Sequence, residues 1–146
     1  MNISDINTMT YQAIWEHNKG KEIKSEEIRL ALDQKQQCLS QINLIFQNYD
    51  FLALPSAQIF PFDKNLQYPK NINNIELDTY HRWLEVFILS SILELPTITI
   101  PVGFNKDGMP MGMQIIGKNK DDLKVFSFAN MYEKAFNFSK NKSKLI

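Results

Sequence analysis

Two apolar runs with a polar turn between them stand out in the C-terminal half of this chain. Residues 97–102 are rich in β-branched side chains, and 111–116 form the second run. Between them, 105–108 read Asn-Lys-Asp-Gly, which is typical of a tight turn. The pattern predicts a buried β-hairpin over 97–117 with a loop of about four residues. Pro101 has no N–H to pair, so we expect it at a strand end or a sheet edge.

Apolar residues that recur at three- and four-residue steps predict three helices. The first has Ser25 as its N-cap and runs to about Asn48. A short amphipathic segment precedes it and is expected to be broken by residues 17–20. Asp78 is predicted to cap the second helix, which covers 79–94. The third begins at 121–122, and its apolar face is expected to contain Leu123, Phe126, Ala129, Tyr132 and Phe136.

The segments between these elements complete the predicted fold. Residues 49–55 form a short apolar run ended by Pro55, which predicts a third buried strand. The proline- and asparagine-rich stretch 56–77 is expected to be a long loop, either a binding loop or a plain surface excursion. We therefore predict an α/β fold, in which about three strands form a partial mixed β-sheet packed with helices. One domain is expected over 1–146, with a frayed tail at 137–146.

Composition limits the classes of partner. The 146 residues carry 16 basic and 16 acidic side chains, so the net charge of zero does not favour nucleic acid. The single cysteine, Cys38, cannot form an intrachain disulfide, which favours a reducing compartment. The longest apolar stretch, 86–93, is far shorter than the ~20 residues of a membrane helix. We expect a cytoplasmic protein that binds neither nucleic acid nor membrane.

The hairpin sequence LPTITIPVGFNKDGMPMGMQIIG, residues 95–117, resembles the C-terminal part of the amidase signature family. The segments 49–55 and 80–86 resemble that family as well. One departure is Glu94, where the family usually has glycine, and we expect strain or a buried charge at this helix-to-strand junction. The positions that agree with the family pattern are Pro96, Pro101, Gly103, Gly108, Pro110, Gly112, Gln114 and Gly117.

The resemblance implies chemistry on carboxamides, either hydrolysis or amido transfer. In the family a serine nucleophile is activated through a second serine, held in a cis peptide, and a lysine. A Gly- and Ser-rich loop supplies the oxyanion hole through its backbone N–H groups. This chain has five glycines, four of them in the hairpin region, and its only serine pair is Ser90-Ser91, inside an apolar helix pattern. We therefore predict no catalytic residue here.

No cofactor or metal site is expected either, because the two histidines and one cysteine have unrelated spacings. The resemblance instead implies that Trp83, Leu84 and Glu85 lie near the acyl pocket. The competing interpretation is that Trp83 is simply a core anchor. Family members that make glutaminyl-tRNA tend to place an acidic residue here, and either Leu84 or Glu85 would hold that position. If it is Leu84, an apolar amide substrate is favoured.

Two hypotheses follow. In the first, the chain is the C-terminal segment of an amidase-signature hydrolase acting on C–N bonds of carboxamides, from a truncated or split gene, and is inactive alone. A small amide would then be its substrate only after completion by an N-terminal amidase segment. The alternative is a non-catalytic interaction or pseudoenzyme module that reuses the same half-sheet. A sheet cut from its neighbours would favour self-association or a partner chain.

Overall fold

The computed structural model describes residues 8–140, in which helices and strands are mixed along the chain. The helices are α1 Tyr11–Glu22, α2 Ser25–Ile45, α3 Tyr80–Trp83, α4 Glu85–Ile92 and α5 Asp122–Phe136. The strands are β1 Leu52–Pro55, β2 Asn71–Ile72, β3 Ile75–Glu76, β4 Thr97–Phe104 and β5 Pro110–Ile116. A 3-10 turn, Phe138–Lys140, follows α5, and the rest of the predicted frayed tail lies outside the described residues. The chain divides into two compact units between Cys38 and Leu39.

The first unit contains α1 and the beginning of α2. The predicted interruption at 17–20 is wrong, because α1 continues to Glu22. A helix tolerates one interior glycine, here Gly20, at a cost of about 1 kcal/mol. The Thr10 side chain also stabilises α1 as its N-cap, by accepting a hydrogen bond from the Ala13 N–H. The predicted cap of α2 is also wrong by one residue. Ser25 is already helical, and the Glu27 carboxylate accepts a hydrogen bond from the Lys24 N–H at 2.8 Å.

The second unit is built on a three-stranded sheet in the order β1-β5-β4. The predicted α/β fold class and the positions of the three strands are confirmed, but the described sheet is antiparallel and not mixed. The predicted burial is wrong for β1, which has no buried residue, and for β4, where only Ile100 is buried, because one side of each strand has no element of the described chain packed on it. Pro101 lies in the outer strand β4, as its missing N–H requires, and a register shift follows it before Gly103. The predicted turn is confirmed too: Asn105 Oδ1 accepts hydrogen bonds from the N–H groups of Asp107 and Met109, both at 2.9 Å. Inside the long loop, β2 and β3 form a separate two-stranded ribbon.

Helix α5 packs on one face of this sheet and forms the core with it. Ile100 and Ile115 are buried against Ala129, and Ile98 and Met113 pack beside them. The predicted apolar face of α5 is partly wrong, since Leu123, Phe126 and Phe136 are exposed. The side chains that pack inward include Val125, Phe128, Ala129 and Tyr132, a stripe shifted around the helix.

An ion pair joins the beginning of α5 to the entry of β1. Lys124 Nζ lies 2.5 Å from Asp50 Oδ1. The hydrogen bond from Lys124, with its charge, lowers the pKa of Asp50 below its usual value. Both side chains are largely in solvent, so the pair orients the two elements and adds little stability.

Glu94 ends α4 in a left-handed conformation, with φ of 55°. Its N–H donates to the Ser91 carbonyl, and the N–H of Leu95 donates to the Ser90 carbonyl at 3.0 Å. Glycine is the usual residue at such a helix end because it has no Cβ to clash. The predicted strain is therefore located in the backbone, and the exposed Glu94 side chain buries no charge.

Replacing Glu94 by glycine is expected to raise the free energy of unfolding by about 0.5–1 kcal/mol, through relief of this conformation. Urea melts of the two proteins give the difference. Glu94→Ala is the control, because it removes the carboxylate and keeps the Cβ. An equal gain in both variants would assign the effect to charge and contradict a backbone origin.

Candidate functional site

An open cavity of about 460 Å³ lies in the second unit. One wall is the loop 56–62, which leaves β1, and another is formed by β4 and the start of β5. The lining residues are Ser56, Ala57, Ile59, Phe60, Pro61, Phe62, Trp83, Thr99, Pro101, Pro110, Met111 and Gly112. Its volume is within the range of ligand pockets, about 300–1,000 Å³.

Gly112 allows the close packing of this region. A Cβ added there would lie 2.5 Å from Ser56 Oγ and 3.0 Å from Thr99 Cγ2. The Ser56 N–H also donates to the Gly112 carbonyl at 2.9 Å. The missing side chain therefore brings two hydroxyl-bearing residues together beside the cavity.

Gln58 holds the loop 56–62 against the end of α3. Its Nε2 donates to the carbonyl oxygens of Arg82 and Trp83, both at 2.7 Å. These carbonyls belong to the last turn of a helix, where intrahelical partners are missing. The single helix predicted over 79–94 is wrong: it is divided at Leu84, whose φ and ψ are −90° and 2°, directly after the two carbonyls that Gln58 binds. The predicted cap is wrong as well, because the Thr79 side chain, not Asp78, accepts from the Arg82 N–H.

The three predicted pocket residues have different surroundings. Trp83 lines the cavity, where its ring meets that of Phe62 edge to face, with centroids 5.4 Å apart. Leu84 is half-buried at the division between α3 and α4 and is not a lining residue. Glu85 is exposed and pairs with Arg82 at 2.5 Å. The structure therefore brings one of the three to the cavity.

Gln114 ties the sheet to α4 behind the cavity. Its side chain is 1% exposed, and its Nε2 donates to the carbonyls of Pro55 at 2.8 Å and Val86 at 2.9 Å. The Pro55 carbonyl lies at the end of β1, immediately before the loop 56–62. Gln114 and Gln58 thus each join two segments around the cavity through one amide group.

The serine pair Ser90-Ser91 lies within α4. Ser90 is buried in α4, and its hydroxyl donates to the Phe87 carbonyl at 3.3 Å. Ser90 is thus a packed helical residue, which is unlike the exposed hydroxyl that a nucleophile requires. Across residues 8–140 no helix combines the length and the apolar character that a membrane span requires. Within the same range, no group of His, Cys, Asp or Glu side chains is arranged to hold a metal ion.

The sequence predicted 56–77 as a long loop and left a binding role open, but it did not single out 56–62 or Gln58. The loop contains three apolar side chains, Ile59, Phe60 and Phe62, within four residues, which could have indicated a binding wall. Nothing in the sequence marks Gln58 as a partner of α3, because the two carbonyls that it binds lie 24 and 25 residues later in the chain.

Comparisons with known proteins find relatives of this chain among amidotransferase subunits. The A subunit of glutamyl-tRNA(Gln) amidotransferase from Shouchella clausii is 33% identical over 108 residues, which cover 69% of this chain and 20% of that protein. The protein of the same name from Prochlorococcus marinus is 34% identical over 101 residues, covering 68% of this chain and 19% of that protein. The chain thus spans about a fifth of the length of these curated relatives.

Solved structures show the same fold. A bacterial aryl acylamidase of the amidase signature enzymes family matches with a TM-score of 0.78 at 24% identity, covering 90% of this chain and 27% of that one. The A subunit of glutamyl-tRNA(Gln) amidotransferase from Thermotoga maritima matches with a TM-score of 0.60 at 19% identity, covering 94% and 30%. The predicted resemblance to a C-terminal amidase segment is confirmed. Since the Amidase family model itself matches residues 7–126, this chain belongs to the amidase family.

Proposed function

We propose that the chain supplies the C-terminal part of an amidase domain, and that its cavity forms one wall of a site where a carboxamide C–N bond is hydrolysed. Residues 1–146 would act as a single domain with the segment that completes them. Trp83 is the residue of this chain that we place against the substrate. Leu84, which lies at the division between α3 and α4, would help to hold Trp83 in position. Glu85 would have its role outside the cavity.

The observation that carries this proposal is the cavity itself. It lies where the hairpin that matches the family meets the loop 56–62 and Trp83. The sequence contains no Gly- and Ser-rich run, so the nucleophile and the oxyanion hole would come from the completing segment. This division of roles leaves substrate contact, not bond cleavage, to the residues described above.

Fragment complementation tests the proposal. The chain would be co-expressed with the N-terminal part of the Shouchella clausii relative, and the pair assayed on simple carboxamides. We expect the pair to release ammonia or amine, and Trp83→Ala in this chain to reduce kcat/KM by about tenfold or more. A folded, co-purifying pair without activity would contradict the proposal and favour the non-catalytic module.

The chain alone is expected to hydrolyse no amide, because it lacks the nucleophile-bearing loop. The measurement is ammonia or amine release from a panel of simple carboxamides and esters, with the complemented pair as the positive control. Turnover by the chain alone that a serine-directed inhibitor abolishes would contradict this expectation. Ser56 at the cavity would then be the first serine to replace.

Self-association of the isolated chain is also expected. Both outer strands of the three-stranded sheet, β1 and β4, have an edge without a partner among the described residues. Four large apolar side chains of α5 are exposed as well, by 82%, 62%, 64% and 56% for Leu123, Phe126, Met131 and Phe136. The zero net charge adds no repulsion between copies.

Light scattering after size exclusion measures the association state. We expect oligomers or aggregates for the chain alone, and a defined complex after co-expression with the N-terminal segment. A monodisperse monomer at high concentration would contradict the expectation and support a self-sufficient module.

A further inference from the structure

We propose that the cavity accepts the uncharged aromatic or apolar group of an amide, and disfavours a substrate that carries a charged amino-acid group. This inference rests on the proposed function and specifies its substrate class. It is drawn from the walls of the cavity, which this chain supplies.

The lining side chains provide no partner for a charged group on a substrate. Among the described residues that line the cavity, the polar side-chain groups are the hydroxyls of Ser56 and Thr99 and the indole N–H of Trp83, and none carries an ionisable group. An ionised carboxylate or ammonium group that binds against these walls loses part of its hydration and gains no ion pair or charge-assisted hydrogen bond from them. An apolar group gains free energy at the same place by leaving water.

Arg82, the basic residue closest in sequence to a lining residue, is already paired with acidic side chains outside the cavity. Arg82 precedes Trp83, but its guanidinium lies 2.5 Å from Glu85 and 3.8 Å from Asp78. The Arg82 side chain is half exposed, and it is not part of the cavity lining. It is therefore not positioned to neutralise a carboxylate inside the cavity.

The aromatic wall is formed before any ligand binds. The rings of Phe62 and Trp83 meet at 88°, which leaves two flat surfaces at an angle. Gln58 fixes the backbone beneath Trp83 with two hydrogen bonds of 2.7 Å, and it belongs to the same loop as Phe62. A flat aromatic group can stack or pack edge to face on such rings without the cost of ordering them.

One side of the cavity can recognise an amide group. Gly112 lets the Ser56 hydroxyl approach the backbone of β5 closely, with Thr99 beside it. Hydroxyl groups both donate and accept, so they can pair with the C=O or the N–H of an amide. An amide with an aromatic or branched apolar substituent matches this combination of two hydroxyls and apolar walls.

Binding to the chain itself tests the substrate class separately from catalysis. Acetanilide and glutamine, which both contain an amide, would be titrated by ligand-observed NMR. We expect saturable binding of acetanilide, with a Kd about tenfold or more below that of glutamine. Trp83→Leu is expected to weaken acetanilide binding by about tenfold, because the ring contact is lost.

A second variant does not touch the aromatic wall. Thr99→Lys adds a cation at an exposed lining position of β4 and should weaken acetanilide binding by a similar factor of about ten. Thr97→Lys is the matched control, on the same strand and exposed but outside the lining. It should leave the affinity unchanged, although it removes the hydroxyl that donates to the Leu95 carbonyl. Far-UV circular dichroism confirms that each variant is folded.

Three results would overturn the inference: no saturable acetanilide binding, glutamine binding as tightly as acetanilide, or acetanilide binding unchanged in both cavity variants. These results are distinct from failure of the proposed function. A complemented pair that hydrolyses glutamine in preference to acetanilide would keep the amidase function and reject this substrate class. A complemented pair without activity, together with selective acetanilide binding by the chain, would reject the amidase function and keep this substrate class.

Discussion

Replacing Ile100 by alanine is expected to lower the free energy of unfolding by about 2–4 kcal/mol. Ile100 is 6% exposed in β4 and belongs to the cluster that includes Ile115 of β5 and Ala129 of α5. The substitution removes apolar contact and leaves a cavity between sheet and helix, where neighbours fixed by strand pairing can relax only in part. A denaturant melt at low protein concentration measures the loss.

Ile75→Ala is the matched control, because Ile75 is also a strand isoleucine but is 60% exposed. We expect it to change the free energy of unfolding by less than about 0.5–1 kcal/mol. If Ile100→Ala costs no more than this control, β4 does not carry the core of the second unit. The packing of α5 on the sheet would then be wrong.

Replacing Gln114 by glutamate is expected to destabilise the fold by about 3–5 kcal/mol near neutral pH, although the two side chains have nearly the same shape. Gln114 is 1% exposed, and its Nε2 donates to two backbone carbonyls. A carboxylate would instead direct a negative charge at the oxygens of Pro55 and Val86. The variant would lose both hydrogen bonds and bury a charge without a partner.

This effect should depend on pH in a defined direction. Burial beside two carbonyls would raise the pKa of the new carboxyl group in the folded state above its unfolded value of about 4.3. The folded state then binds more protons than the unfolded state, so the loss is smallest below about pH 4 and grows as the pH rises through the unfolded pKa. Melts at about pH 3.5 and about pH 7, each compared with the unmodified chain, would show the difference.

The exposed Gln67 provides the control for this experiment. Gln67→Glu should change stability by less than about 0.5 kcal/mol at either pH. A small, pH-independent loss in Gln114→Glu would contradict the role of this amide in joining β5, the end of β1 and α4.

Local patterns predicted the hairpin, its turn and the beginning of α5 correctly. In these segments the deciding interactions lie close together in sequence: Asn105 binds N–H groups two and four residues away, and Gly108 takes a φ of 80° that glycine adopts freely. The family resemblance rested on the same stretch, and the family model confirms it. The strain at Glu94 could also be predicted, because one residue's φ decides it.

The division of the predicted helix at Leu84 lies where a distant side chain binds the helix backbone. Gln58 donates to carbonyls 24 and 25 residues later, and no periodic pattern contains that information. The inward face of α5 was undetermined for a similar reason. Its sequence has overlapping apolar stripes that share Ala129, and packing on the sheet selects the stripe that includes Val125 and Phe128.

By itself, the sequence therefore determined the family, the strands and the absence of a Gly- and Ser-rich catalytic loop in these 146 residues. The tertiary structure alone decided that Trp83 lines the cavity while Leu84 and Glu85 do not. The reason is physical: which side of a chain segment faces a cavity is set by the segments packed against it. Here those are the loop 56–62 and the hairpin, which the two glutamines Gln58 and Gln114 hold in place.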